Sequence, residues 1–405
     1  MSVADRSPWY FHPPVIIVAG CIVAIISFGA RATMGLFTHP ISEFHQWNRE
    51  IYGFAMALQN LMWGVFQPIA GGFADRYGPT RVLAVGALIY AAGMALMSVS
   101  HTPAMIYLSG GLLVGIGVAT ASFSIVMAGF GKLVPPEKRS WAFGIATGAS
   151  SMGQFIFAPL GQGFIAAFGW QTALVLIAAI VLAIIVFAIP MNAPRATTAA
   201  VEDRSISFRE AIGGAFGHSS YVLLVLGFFV CGFQIAFVAI HLPAYLVEHG
   251  ISEWLAAWSL AIVGIFNVIG SYSAGVIGGK FKKRYSLAMI YLLRSIIITL
   301  FVALPITPMS TVVFTACLGL LWLSTVPLTM GLVTVMFGTR YMATLYGFVF
   351  LSHQIGSFFG VWLGGLFHDL YGTYDPVWWM GVALGLLAAL VHWPIREERA
   401  PVFAT

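Results

Sequence analysis

Twelve stretches of mostly apolar residues, each about twenty residues or longer, follow one another along the chain, and no single motif constrains the fold as strongly. They run roughly over 14–38, 50–73, 82–100, 104–130, 141–166, 171–190, 219–246, 252–278, 286–304, 309–337, 342–367 and 376–395. A helix needs about 20 such residues to cross the hydrocarbon of a bilayer, where every backbone polar group must be satisfied within the protein. Composition agrees. Of 405 residues, 60% are hydrophobic and 8% charged, whereas a soluble domain carries about 25% charged residues. This excludes a soluble enzyme, a nucleic-acid binder and a disordered scaffold. The net charge of +5 does not restore a nucleic-acid role, because the basic residues lie in short loops and form no continuous face. Cys21, Cys231 and Cys317 sit inside apolar stretches and read as small buried hydrophobes, with neither disulfide nor metal spacing.

The basic residues orient the chain. With both termini in the cytoplasm, Arg6, Arg76, Arg81, Lys132, Lys138, Arg139, Arg195, Arg204, Arg209, Lys280, Lys282, Lys283, Arg284, Arg340, Arg396 and Arg399 all fall on the cytoplasmic side. Only Arg49 falls in an outer loop, which is the positive-inside pattern. The first apolar run is too long for a signal-peptide core, and no small-residue cleavage site precedes it. Trp9, Tyr10, Trp378, Trp379 and Trp393 stand near span ends, where interfacial aromatics collect.

The longest polar stretch, 191–218, separates six spans from six. The two parts match at a shift of 203 residues. Gly29 pairs with Gly232 and Pro40 with Pro243; Gly144, Gly153, Gly161 and Gly169 pair with Gly347, Gly356, Gly364 and Gly372, and Phe155 with Phe358. Two parallel six-helix halves with a site at their interface form a transporter plan. The expected organisation is an N-terminal bundle over 1–190, a cytoplasmic linker over 191–218 and a C-terminal bundle over 219–405.

Between the second and third spans stands Gly71-Gly72-Phe73-Ala74-Asp75-Arg76-Tyr77-Gly78-Pro79-Thr80-Arg81. This closely resembles the loop signature of the major facilitator superfamily, with Gly71, Asp75, Arg76 and Gly78 matching and Phe73, Pro79 and Thr80 departing. The second half has a degraded copy, Gly275-Val276-Ile277-Gly278-Gly279-Lys280-Phe281, in which Gly279 replaces the acid. The resemblance implies an all-helical integral membrane fold of twelve helices in two pseudo-symmetric bundles, and alternating access. The loop reads as a conformational latch. Asp75 can face the positive N-terminus of a neighbouring helix, Arg76 can pair with an acid, and the small residues let helices approach.

Within that superfamily the chain resembles the bacterial monocarboxylate-transporter-like branch. Phe28-Gly29-Ala30-Arg31 through Gly35-Leu36-Phe37 carry the likeness, with Ala57-Leu58-Gln59-Asn60-Leu61, Gln67-Pro68 and Leu351-Ser352-His353-Gln354-Ile355-Gly356-Ser357. Monocarboxylate carriers typically place an arginine in helix 8; here that span offers Asn267 and Ser271 instead.

Arg31 and Arg294 lie within spans, and no Asp or Glu does. A charge at bilayer depth is costly unless paired or facing a wet cavity. In this superfamily helices 1 and 7 face each other across the central cavity, and the mate of Arg31 at the 203 shift is Gln234. A substrate anion is the simplest counter-ion for Arg31, gripped bidentately. Arg294 lies on a helix that is usually peripheral and is expected to cap carbonyls or shape packing. The other expected substrate-binding residues are Asn60, Asn267, His353, Gln59, Gln154 and Gln354. Gln59 and Asn60 point about 100° apart and cannot both face one cavity. His353 is the histidine nearest a span centre and a candidate proton carrier.

The resulting expectation is a secondary transporter of small organic anions, monocarboxylates foremost, using proton symport or exchange for a counter-anion. It would work as a monomer in the bacterial inner membrane, with no cofactor, no metal and no nucleic-acid partner. A proton-coupled drug exporter is the alternative, but such exporters need a membrane-embedded acid, and Ala158-Pro159-Leu160-Gly161-Gln162-Gly163 matches their helix-5 motif only in part. A membrane-embedded enzyme would need a convergent catalytic set, which is not evident; a sensor usually adds a cytoplasmic domain.

Overall fold

The computed structural model describes residues 8–47, 49–192 and 206–403. They form twelve long helices and, among the described residues, no strand. The helices are α1 (Pro13–His45), α2 (Arg49–Tyr77), α3 (Pro79–Ser98), α4 (Pro103–Leu133), α5 (136–168) and α6 (170–188), α7 (Ser219–Glu248), α8 (Glu253–Lys280), α9 (Lys283–Ala303), α10 (Pro308–Phe337), α11 (Met342–Tyr371) and α12 (Asp375–His392).

Their starts are written locally. Pro13, Pro79, Pro103, Pro136 and Pro308 open helices, where a missing N–H costs nothing. Thr102 and Ser252 accept from the amides of Met105 and Leu255, while Thr307 and Ser310 cap each other reciprocally. Of the polar connector expected over 191–218, residues 193–205 lie outside the described residues. Its remainder holds a short helix, Phe208–Phe216, opened by a Ser207–Glu210 capping box. Hydrogen bonds from Ser207 hold the Glu210 carboxyl below its ordinary range.

The described residues fall into two compact units. Among the described residues, the first takes in those within 8–142, 149–192 and 339–347; the second takes in those within 143–148, 206–338 and 348–403. In the first unit, α5 meets α1 where a side chain on Gly153 would strike the Ile25 carbonyl and Gly29 faces Phe157. In the second, α11 meets α7 with Gly356 against the Phe229 carbonyl and Gly232 against that of His353. These glycines are partners at the 203 shift, and a small side chain is what permits such approach.

The helix breaks repeat too. α4 breaks at Ala121–Ser122 and α10 between Leu321 and Thr325, so Ala121 and Ser324 stand 203 residues apart. Gly169, with φ +77°, turns α5 into α6; its mate Gly372, with φ +69°, follows α11. Both adopt a left-handed conformation that glycine enters freely. The core of the second unit is aromatic, with Phe301 stacked on Phe314 at 3.8 Å and Phe237 edge-on to Trp378 at 4.9 Å.

Candidate functional site

The two arginines within helices have different surroundings. Arg31 ends the regular part of α1, next to the 3-10 turn Thr33–Phe37, and is half-buried. Its guanidinium donates to Asn60 Oδ1 on α2 and stands 4.6 Å from the centre of the Trp63 ring, a cation–π distance. Its Nε–H is buried with no hydrogen-bond partner, and no carboxylate among the described residues lies within ion-pair distance of it. Trp63 donates to Gln67 Oε1 at 3.1 Å, and Gln67 donates to Ser122 Oγ at 3.2 Å, at the break in α4. The arginine is therefore held by neutral groups on rigid helices.

Arg294 on α9 is fully buried and committed. It donates to the carbonyls of Leu321 and Trp322, which the break in α10 frees, and to Gln234 Oε1 at 3.4 Å. A helix broken at bilayer depth needs such donors, since no water can serve its carbonyls.

The expected amides separate accordingly. Asn60 meets Arg31, while the neighbouring Gln59 turns away and donates to the Gly110 carbonyl at 3.0 Å, inside the π-helical stretch Tyr107–Leu113. Gln234 is engaged at both ends, donating to Gly381 O at 2.9 Å and accepting from Arg294. Asn267 accepts from the Leu323 amide at 2.9 Å and from Ser271 at 3.1 Å, on the other side of the break that Arg294 caps. These three amides are spent on backbone or on neighbours within their own units. Gln154 on α5 is half-buried. His353 stacks on Phe350 at 5.4 Å, and its Nδ1 lies 3.2 Å from Gln354 Oε1.

Sequence reasoning missed one member. Cys231 reads as a small hydrophobe, yet its sulfur lies 3.6 Å from Arg294 Nη1 and 3.2 Å from Thr325 Oγ1. Arg294 lies 63 residues further along the chain, so no local pattern marks the contact. Among the described residues no group of three His, Cys, Asp or Glu is placed to hold a metal.

The loop signature has its own geometry, inside the first unit. Asp75 Oδ1 accepts from Lys132 Nζ at 2.8 Å and the Ala343 amide at 3.3 Å. Its Oδ2 accepts from the Thr344 amide at 2.8 Å and hydroxyl at 2.9 Å. The carboxylate thus caps the first turn of α11, where unpaired amides and the helix dipole favour an anion. Any side chain on Gly71 would strike the Ala343 carbonyl, and Gly78 holds φ +89° where α2 turns into α3. Arg76 lies over the Tyr77 ring at 5.2 Å. The acid expected for it is not there: no carboxylate among the described residues is within ion-pair reach. Gly279, in the degraded copy, offers no side-chain acceptor. There Gly144 and Gly275 pack backbone to backbone instead.

The sequence profile of the Major Facilitator Superfamily matches residues 20–361. The MFS-type transporter YcxA of Bacillus subtilis is 24% identical over 387 residues, covering 92% of this chain and 91% of its own. Monocarboxylate transporter 13 of Rattus norvegicus is 26% identical over 343 residues, covering 80% and 76%. Among solved structures, the fucose:proton symporter FucP of E. coli superposes with a TM-score of 0.72 at 17% identity, covering 94% of this chain and 99% of that one. The proton:xylose symporter XylE superposes at 0.75 and 15% identity, covering 96% and 97%.

Proposed function

The chain belongs to the major facilitator superfamily and is a multi-pass membrane transporter, and from that premise we propose that it carries small organic anions, monocarboxylates foremost. One observation carries this reading. Arg31 keeps a buried N–H without a partner, on a cation whose neighbours are an amide and an indole. Removing a guanidinium from water is costly unless an anion repays it. A substrate carboxylate supplies that anion, and the guanidinium's planar fork suits it. The name of the rat relative supports the same substrate class.

Proton symport is the coupling we favour. No carboxylate lies mid-span, so the coupling proton rides on His353 or on the substrate itself. Asp75 acts on the conformational cycle, because its bonds close the end of α2 onto the start of α11. The basic-residue pattern supports both termini in the cytoplasm of a bacterial inner membrane, with two six-helix halves working as a monomer.

The test is ligand-induced thermal stabilisation of the purified protein across carboxylates, matched neutral amides and organic cations. Short carboxylates should raise the melting temperature and the matched amides should not. Stabilisation by cations alone would make the protein an exporter of the kind weighed above.

A further inference from the structure

An open crevice of about 700 Å³ lies in the second unit between α8, α9 and α10, and it reaches the α10 break, where Leu321 and Ser324 line it. Its trough is apolar, walled by Ala274 and Ile277 of α8, Met289 and Leu293 of α9, and Leu320 and Leu328 of α10. From Gly270 to Phe281, both of which line it, α8 rises about 16 Å at 1.5 Å per residue. That is half of a hydrocarbon core of about 30 Å, so the trough has the length of one leaflet.

The mouth is polar, and Lys282, Tyr285 and Ser286 line it. Lys282 is exposed and is the N-cap of α9; it makes no side-chain cap bond, and the first turn of α9 carries no acid. Glu397 takes the Arg284 amide at 2.7 Å, and the Arg284 guanidinium is turned to Ile395 O and to the Tyr285 hydroxyl. The Ser286 hydroxyl rests on the Lys282 carbonyl at 3.3 Å and Glu397 holds the first turn of α9, so the exposed Lys282 ammonium, beside Ser286, is the charge at the mouth that favours an oxyanion. At the 203 shift the first half carries Pro79, Val82 and Leu83 in place of Lys282, Tyr285 and Ser286. The polar mouth is thus particular to the second half and does not follow from the repeat.

We infer that this crevice binds an anionic phospholipid, one acyl chain in the trough and the phosphate at Lys282 and Ser286. Charge complementarity at the mouth chooses the headgroup, and the leaflet-length trough chooses a chain that enters from the same leaflet. The crevice belongs to the second unit and Arg31 to the first, and lipid binding there does not depend on the transported substrate.

Native mass spectrometry of the detergent-purified full chain tests it, with phosphatidylglycerol, phosphatidylcholine of the same acyl chains, and free palmitate titrated separately. Phosphatidylglycerol should bind at least tenfold tighter than phosphatidylcholine. The double substitution Lys282→Ala, Ser286→Ala should remove that preference while leaving weak binding of both lipids. Ile277→Trp, at an exposed trough position, should weaken both lipids. Arg31→Ala should change neither. Equal binding of the two phospholipids by the native protein, tighter binding of palmitate, or a preference that survives the double substitution would each overturn the assignment. So would a lipid-free dimer as the dominant species, since a second copy would then fill the face. Melting temperatures of the variants without lipid show whether each is folded.

Discussion

Arg31 and Arg294 are the same residue at helical depth in a membrane protein, and they stand for opposite uses of a buried charge. Arg294 is fully buried and spends its donors on two backbone carbonyls and Gln234. Arg31 is half-buried and keeps an N–H in hand. Depth of burial alone would have chosen Arg294 as the functional residue. Counting satisfied donors chooses Arg31, because a guanidinium that closes a broken helix has nothing left for a ligand.

The most severe way to probe the contrast is Arg294→Met. It leaves the Leu321 and Trp322 carbonyls without donors, at about 1–3 kcal/mol for each buried group left unpaired. Folded yield and melting temperature should collapse before affinity can be read. A well-folded variant with weakened carboxylate binding would reverse the roles of the two arginines.

Arg31→Ala should give the reverse pattern. The protein should insert and stay monodisperse, while carboxylate affinity falls at least a hundredfold, about 2.8 kcal/mol at 1.4 kcal/mol per decade. Arg31→Lys keeps the charge and loses the fork, and about tenfold weaker binding is expected. Isothermal titration with the best-stabilising carboxylate measures both, and native affinity in Arg31→Ala would end the organic-anion reading.

Asp75→Asn extends the contrast to the loop. The carboxylate gathers donors from Lys132, Ala343 and Thr344, and an amide cannot accept from all of them. Transport in proteoliposomes should slow about tenfold (~1.4 kcal/mol), with equilibrium affinity within a few fold. Transport at the native rate would remove the latch role.

The smallest effect belongs to Gln234→Leu. It strips one acceptor from Arg294 and one donor from the Gly381 carbonyl, for a loss of about 1 kcal/mol in stability. If it instead weakens carboxylate binding as much as Arg31→Ala, Gln234 serves the substrate.

The helical membrane fold was legible because hydrocarbon imposes its demands locally, through some twenty apolar residues per crossing and, for several helices, a proline or hydroxyl at the start. The repeat was legible through Gly153 and Gly356, since a backbone pressed against a backbone tolerates no side chain and writes its position as glycine. Asp75 could be marked from its loop, but its partner Lys132 is 57 residues away and Thr344 is 269 away, and no local pattern selects among distant donors. The amides were harder still. Gln59, Gln234 and Asn267 look alike in the sequence, and whether each faces a ligand or a freed backbone group depends on where α4 and α10 loosen.

The sequence by itself determined that the chain is a twelve-helix membrane protein of repeated halves, because period, length and glycine placement are properties of neighbouring residues. Only the tertiary structure decided which polar side chains are already paired. Arg294, the pair Cys231 and Gln234, and the carbonyls of Leu321 and Trp322 come from different stretches of chain and meet only when α7, α9 and α10 pack. Satisfaction of a buried charge is a property of that meeting, which no stretch of chain carries alone.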